Sequence, residues 1–511
     1  MRSHRYLLKV LLVAGLLFLY QSASSQISDS LFIRSEGTNL AVGMRQFYAI
    51  GVNSYFLQNL AAYGDTAHLL EVLQSAKALG INTIRTWGFF DSDDSTNRAV
   101  IQYGAGKYNE RGLRALDYVI AKASEFSFRL IIPLVNNWDD YGGMNQYVEW
   151  FAERKLQSAT ISTSIQQRII YGVEGRSFRV QVSGSFTHDD FYRNDTIKQW
   201  YKNYLQMILE RTNTITGIKY MDEPAIAVWE LANEPRSLDG SGELVKNWLH
   251  EMSSFVKFLD ARHLLSSGEE GFDVTSNNYS NISKYNQQTW LFDGSNGVSF
   301  KKNILLPNID VASIHCYPSA WKLTYQSAIV WLKDHKRIAS ESNKPMIFGE
   351  VGIKGQAKLF YQAIFNETFY QNTSGILLWQ FVYQGRRNND GYAFSCPSNE
   401  HVCSVLSDYA YKFHQKSEGI VTNPTTTQLL QNYPNPFNSL TMISYDLPIR
   451  SFVRMEVYNG IGQLVDRIAE EEQEAGFHQT LFDAANHANG VYFVRLLTNS
   501  NNFNKKIVLV K

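Results

Sequence analysis

Eight short apolar runs, spaced by helix-length amphipathic stretches, give way to alternating strands near residue 430. Together these observations predict an α/β chain: a (β/α)8 TIM barrel followed by a small all-β sandwich. The runs are, in order, "FYAIGVN" (47–53), "INTIRTW" (81–87), "RLIIPLV" (129–135), "AIAVWELA" (225–232), "HLLSSG" (263–268), "DVASIH" (310–315), "PMIFGE" (345–350) and "GILLWQF" (375–381). Most are apolar without polar alternation, as parallel strands buried on both faces require. Between them, stretches such as "AHLLEVLQSAKALG" (67–80) and "LRALDYVIAKASEF" (113–126) carry the i, i+3, i+4 spacing of amphipathic helices. An open doubly wound sheet is the alternative, but no glycine-rich phosphate loop follows the first strand.

The remaining segments follow from changes in texture. "MRSHRYLLKVLLVAGLLFLYQSASSQ" runs from basic residues through a short apolar centre to small residues, the order of a secretory signal, assigned to residues 1–25. Its apolar centre is shorter than the roughly 20 residues a spanning helix needs. No cysteine lies near the cleavage site, so a lipid anchor there is excluded. The barrel is expected over residues 26–416. One gap in it, from Val135 to Ala225, exceeds a single helix. "RIIYGVEGRSFRVQVSGSF" (168–186) alternates around "EGRS" and reads as a hairpin, so 139–190 are read as an elaborated loop after strand three. Residues 417–430, overlapping the start of the Asn-, Thr- and Pro-rich run "IVTNPTTTQLLQNYPNPFNS", read as a linker. Residues 431–511 then supply short alternating strands with turn dipeptides at Asn459-Gly460 and Asn489-Gly490, a sandwich without a convergent polar cluster.

Composition narrows the function classes. The 511 residues carry 48 Lys and Arg against 48 Asp and Glu, a formal net charge of +0, with no basic stripe; nucleic acid is not an expected partner. The three cysteines are Cys316, Cys396 and Cys403. In an exported chain the close pair could clip one loop, whereas Cys316 is expected to be buried and inert. The histidines show neither HExxH spacing nor a Cys/His cluster, so no metal is expected.

In a barrel, chemistry gathers at the C-terminal ends of the strands. Strand two ends in Arg85, Thr86 and Trp87; strand four in Asn233 and Glu234; strand six in His315, then Tyr317; strand seven in Glu350; strand eight carries Trp379. Cleaving a glycosidic bond takes one group to protonate the departing oxygen and another to meet the positive charge developing at the anomeric carbon. Two carboxylates in different surroundings can do both, so no other cofactor is expected either. Glu234 and Glu350 would face each other across the mouth. Arg85 would keep Glu350 ionised, Tyr317 would donate to it, Asn233 would hold a sugar 2-hydroxyl, and Trp379 would floor the ring. Each has a structural alternative: Asn233 and Glu234 as a helix cap, Arg85 as a salt bridge, His315 and Trp379 as core. Their joint arrival at strand ends favours chemistry.

"WELANEPR", "NTIRTWGF", "SIHCYP", "KPMIFGEVG" and "GILLWQF" resemble glycoside hydrolase family five. "NNWDDYGGMNQYVEW" (136–150), the long run from Phe191 to Arg236 and "SSGEEGF" (266–272) resemble the endo-β-1,4-mannanases within it. That resemblance, from about Phe32 to the 410s, implies Glu234 as acid/base and Glu350 as nucleophile. It implies Arg85, Trp87, Asn233, His315, Tyr317 and Trp379 as the lining of the cleavage subsite. Lys155 to about Ser185 is longer than the family pattern. "LLQNYPNPFNSLTMISYDLP", "VYNGIGQLV" and "GVYFVRLL" followed by "KKIVLVK" resemble the C-terminal sorting domain of the type IX secretion system of Bacteroidetes. The expectation is therefore a secreted or cell-surface retaining endo-β-1,4-mannanase. It would act as a monomer on β-mannan and engage the type IX secretion machinery through its tail. The alternatives are a cellulase or other β-1,4-glucan hydrolase on the same barrel, and a non-catalytic surface glycan-binding protein.

Overall fold

The computed structural model describes residues 27–511 except 157–168, 172–176, 180, 184–185, 355–356, 387–389, 420–423, 425 and 433. The segment read as an export signal lies outside the described residues. Eight parallel strands form the barrel: β1 (Ala49–Asn53), β2 (Thr83–Arg85), β3 (Arg129–Pro133), β4 (Ile226–Glu230), β5 (Leu264–Ser266), β6 (Ala312–Cys316), β7 (Met346–Val351) and β8 (Gly375–Leu378). They neighbour one another in chain order, with β8 returning to pair with β1 in parallel. Closure between β5 and β6 rests on one parallel bridge, Ser266 to Val311. Every residue of β1, β4, β6 and β7 is buried, which is why their sequences run apolar instead of alternating.

Helices follow the strands: α1 (Thr66–Ala78), α2 (Glu110–Glu125), α3 (Asp195–Glu210), α4 (Glu243–Leu259), α5 (Phe300–Ile304), α6 (Tyr325–Glu341), α7 (Ala357–Tyr370) and α8 (Glu400–Ser417). Several start where a side chain satisfies a free backbone N–H: Asp65, Asn109, Asn194 and Thr324 cap α1, α2, α3 and α6. A meander over Arg34–Phe47 lays Leu40, Val42 and Phe47 against Ala49, Leu264, Val311 and Ile347. Those residues lie at strand starts, so the meander covers the mouth opposite the strand ends.

In the elaborated loop, a helix spans Gly143–Leu156, and Ile169–Tyr171 pairs antiparallel with Ser177–Arg179, the hairpin expected around "EGRS". A second short pairing joins Gln181–Ser183 to Phe186–Thr187.

Beyond α8 the tail begins with a strand inside the stretch read as linker. Its strands are β9 (Gln428–Leu429), β10 (Leu440–Leu447), β11 (Ser451–Asn459), β12 (Leu464–Gln473), β13 (Gly476–Asp483), β14 (Gly490–Leu497) and β15 (Asn502–Leu509). They form two sheets, ordered β9-β10-β13 and β12-β11-β14-β15. Ile443, Tyr445 and Phe482 of the first share a core with Val453, Met455, Val494 and Ile507 of the second, making the sandwich.

Candidate active site

The strand ends converge on one buried cation. Arg85, the last residue of β2, is 1% exposed and binds four partners with its guanidinium. Its Nε donates to Glu230 Oε2 at 2.8 Å, Nη1 to Glu350 Oε1 at 2.6 Å and to Asn53 Oδ1 at 3.2 Å, and Nη2 to Asn233 Oδ1 at 2.8 Å. Burial alone would favour the neutral base, but Glu230 and Glu350 outweigh it and hold the guanidinium firmly charged. Arg85 is thus a salt bridge at the site itself, so the structural and chemical readings of it coincide.

Glu350 receives a second hydrogen bond from the Tyr317 hydroxyl. Gly349 precedes it because a Cβ there would meet Ser313 Oγ at 2.8 Å and the His315 ring at 3.1 Å. Glu234 lies past the end of β4, with φ at +53°, a left-handed conformation that costs a non-glycine residue energy and is typical of functional positions. Its N–H donates to the Gly268 carbonyl at 2.8 Å, an approach that requires glycine, since a Cβ at 268 would strike the Ala232 oxygen at 1.8 Å. Trp138 Nε1 donates to Glu234 Oε2 at 2.5 Å, and His315 Nδ1 lies 2.8 Å from Oε1. His315 is fully buried; burial disfavours its charge, but Glu350 and Glu234 together raise its pKa above the ordinary imidazole value. The helix-cap reading of Asn233 and Glu234 does not survive, because α4 begins only at Glu243, with Gly242 at its N-cap.

One oxygen of Glu234, one of Glu350 and a ring nitrogen of His315 lie within 4.8 Å of one another. Such a trio could chelate a cation, but the Arg85 guanidinium, 2.6 Å from Glu350, opposes positive charge there. Glu234 borders a cleft of about 260 Å³, and Glu350 lies buried behind the Tyr317 hydroxyl that lines it. Its lining includes Tyr55, Trp87, Asn233, Tyr317, Trp321 and Trp379. The Tyr55 and Trp379 rings stack at 5.4 Å and 7°, forming a continuous aromatic floor. Asp390 fixes that floor, its Oδ2 accepting from Trp379 Nε1 at 2.9 Å and Gln380 Nε2 at 2.7 Å.

All eight residues singled out in the sequence therefore meet at one place. Several others were missed. Glu230 stood in view within "WELANEPR", the last residue of β4 and four residues before Glu234. Asn136 accepts from Asn233 Nδ2 at 3.0 Å, and Trp138 holds Glu234. Arg236 forms a bidentate pair with Glu270, at 2.7 Å on both oxygens, and stacks between Trp138 and Phe272. Burial first, and then Glu234, push the Glu270 carboxyl up to about 7 against the opposing pull of Arg236. The segments holding Asn136, Trp138 and Glu270, "NNWDDYGG" and "SSGEEGF", were marked by resemblance alone.

Two glutamates with one oxygen of each this close, over an aromatic floor at the C-terminal mouth of a (β/α)8 barrel, define a glycoside hydrolase. The chain belongs to glycoside hydrolase family five: residues 30–385 match its β-mannosidase-like group. A putative mannan endo-1,4-β-mannosidase 4 of Arabidopsis thaliana is 34% identical over 418 residues, 77% of this chain and 93% of its own. Mannan endo-1,4-β-mannosidase 5 of Solanum lycopersicum is 33% identical over 408 residues, 75% and 89% respectively. Among solved structures, the hyperthermostable endo-1,4-β-D-mannanase from Thermotoga petrophila superimposes with TM-score 0.62 at 31% identity, covering 72% of this chain and all 100% of that one. Residues 431–511 match a secretion system C-terminal sorting domain.

Proposed function

We propose that the protein is an endo-β-1,4-mannanase that cleaves internal mannosidic bonds with net retention. Glu234 gives its proton to the glycosidic oxygen while a Glu350 oxygen attacks the anomeric carbon; the C–O bond breaks, the reducing-end fragment leaves, and a glycosyl ester remains. Glu234, now a carboxylate, takes a proton from water as the water oxygen attacks the same carbon. The ester bond breaks and Glu350 is restored. Arg85 and Tyr317 hold the nucleophile, Asn233 offers its remaining amide N–H to the sugar 2-hydroxyl, and Trp379 with Trp87 lines the sugar ring.

The observation that carries the retaining assignment is the carboxylate spacing. Oxygens within 4.8 Å fit the roughly 5 Å of retaining enzymes and leave no room for the water that inverting enzymes place between groups about 6.5–9.5 Å apart. The mannan assignment draws its support from the relatives' named activity. Proton NMR of fresh product from manno-oligosaccharides tests the first: the β-anomer should appear before mutarotation. Reducing-sugar release tests the second, and should be greater from galactomannan or glucomannan than from carboxymethyl cellulose. Prior release of the α-anomer, or a preference for the cellulose derivative, would overturn the corresponding assignment. The sorting-domain tail supports export to the cell surface or medium, with residues 1–25 as the export signal.

A further inference from the structure

The tail's two sheets differ in what their outer faces carry. On the four-stranded sheet Phe452, Val491 and Phe493 stand in solvent beside Arg454, Arg467 and Glu470. On the three-stranded sheet both faces are buried. Ile443, Tyr445 and Phe482 point into the sandwich, while Leu440, Met442 and Leu481, on the alternate positions of β10 and β13, join the hydrophobic core of the barrel. Met442 and Leu481 are cross-strand partners, so the barrel-facing side chains form a contiguous patch.

The barrel meets that patch with α6 and α7. Tyr370, at the end of α7, stacks on His478 at 4.5 Å, and His478 in turn stacks on Tyr445 at 5.4 Å. Gly476 lies against the Tyr370 ring, where a Cβ would approach to 2.6 Å. Asn366 Nδ2 donates to the Gln479 carbonyl at 3.4 Å. Lys333 of α6 spans the seam: it pairs with Glu471 of the tail and lies 3.4 Å from Glu367 of the barrel. A lysine between two half-buried carboxylates, one from each side, loses a partner if the sides part.

We infer that the α6–α7 flank is a built docking surface for this chain's own tail, and that the tail stays bound as a noncovalent subunit after the linker is cut. The two readings of the tail are separable, because export requires sorting and docking requires only this patch.

A full-length chain carrying a specific protease site between Gly419 and Gln428 tests it. Cleavage is followed by mass, and the cut protein is then run on size-exclusion chromatography at micromolar concentration. The expected result is a single peak of the uncut mass containing both fragments. Met442→Asp should release the tail from the cut protein. So should Lys333→Glu, a barrel-side change that leaves the tail's own fold untouched, with hydrolysis kept near the parent rate in both. Separate elution of the two native fragments would overturn the inference. So would a peak of twice the mass, which would mean that tails are exchanged between copies.

Discussion

Arg85 holds four buried partners at the site with one guanidinium. Its removal in Arg85→Ala leaves Glu230 and Glu350 buried without their cation, a situation that costs about 3–5 kcal/mol. Chemical denaturation should register that loss together with near-complete loss of hydrolysis. Arg85→Lys, which cannot fork to four acceptors, should recover only part of it. Glu350→Ala separates chemistry from folding differently. Without a nucleophile, kcat should fall by about four orders of magnitude or more, while affinity for manno-oligosaccharide, measured by calorimetry, should stay within a few-fold. Joint loss of rate and binding would instead make Glu350 a structural group. Glu269 offers a test through pH. It is fully buried, accepts from Ser267 and Asn303, and burial raises its carboxyl from 4.5 to about 8. A carboxyl raised in the folded state contributes its full stability below the unfolded value and loses it as pH climbs through the folded one. Glu269→Gln removes that dependence. The melting temperature of the variant minus that of the parent should therefore rise between about pH 4.5 and 8 and level off at either end.

At the scale of elements, the β/α repeat explains why much of the site was legible. Eight parallel strands in chain order place their C-terminal ends around one mouth, so Arg85, Glu234, His315 and Glu350 could be brought together from strand positions alone. Strand alternation then hides what it does not display: Glu230 ends its strand pointing at Arg85, and nothing in "WELANEPR" distinguishes an inward carboxylate from a surface one. Trp138, Arg236 and Glu270 sit on loops, whose paths depend on contacts far apart in sequence, such as Arg236 packed between Trp138 and Phe272. Periodicity carries no information about such paths. The loop after β8 belongs to the same class, although its Cys396–Cys403 bridge was foreseeable from spacing. That bridge closes a short loop, separation 7, joined to the segment that carries Asp390 and Tyr392 into the cleft. Replacing both cysteines by alanine should lower stability by about 2 kcal/mol from loop entropy. Because Asp390 fixes Trp379, the same variant should raise KM more than it lowers kcat, as steady-state kinetics on mannohexaose would reveal.

For the whole molecule, the seam between barrel and tail decides how the chain unfolds. The sandwich has a core of its own, centred on Tyr445, Val453 and Val494, and would melt alone if it merely followed the barrel on a tether. Yet Leu440, Met442 and Leu481 belong to the barrel's core, so opening the sandwich strips apolar cover from α7 and separates Lys333 from Glu471. Apolar burial on both sides of one sheet links the two units, since neither can lose it without exposing the other. Scanning calorimetry of the uncut chain should therefore show one transition, its van't Hoff and calorimetric enthalpies in agreement. Met442→Asp, which puts a charge into the shared layer, should split the trace in two, the tail melting first and the barrel close to its former temperature. Two transitions in the parent would mean that the sheet's second buried face contributes no coupling, and that tail and barrel are stable separately.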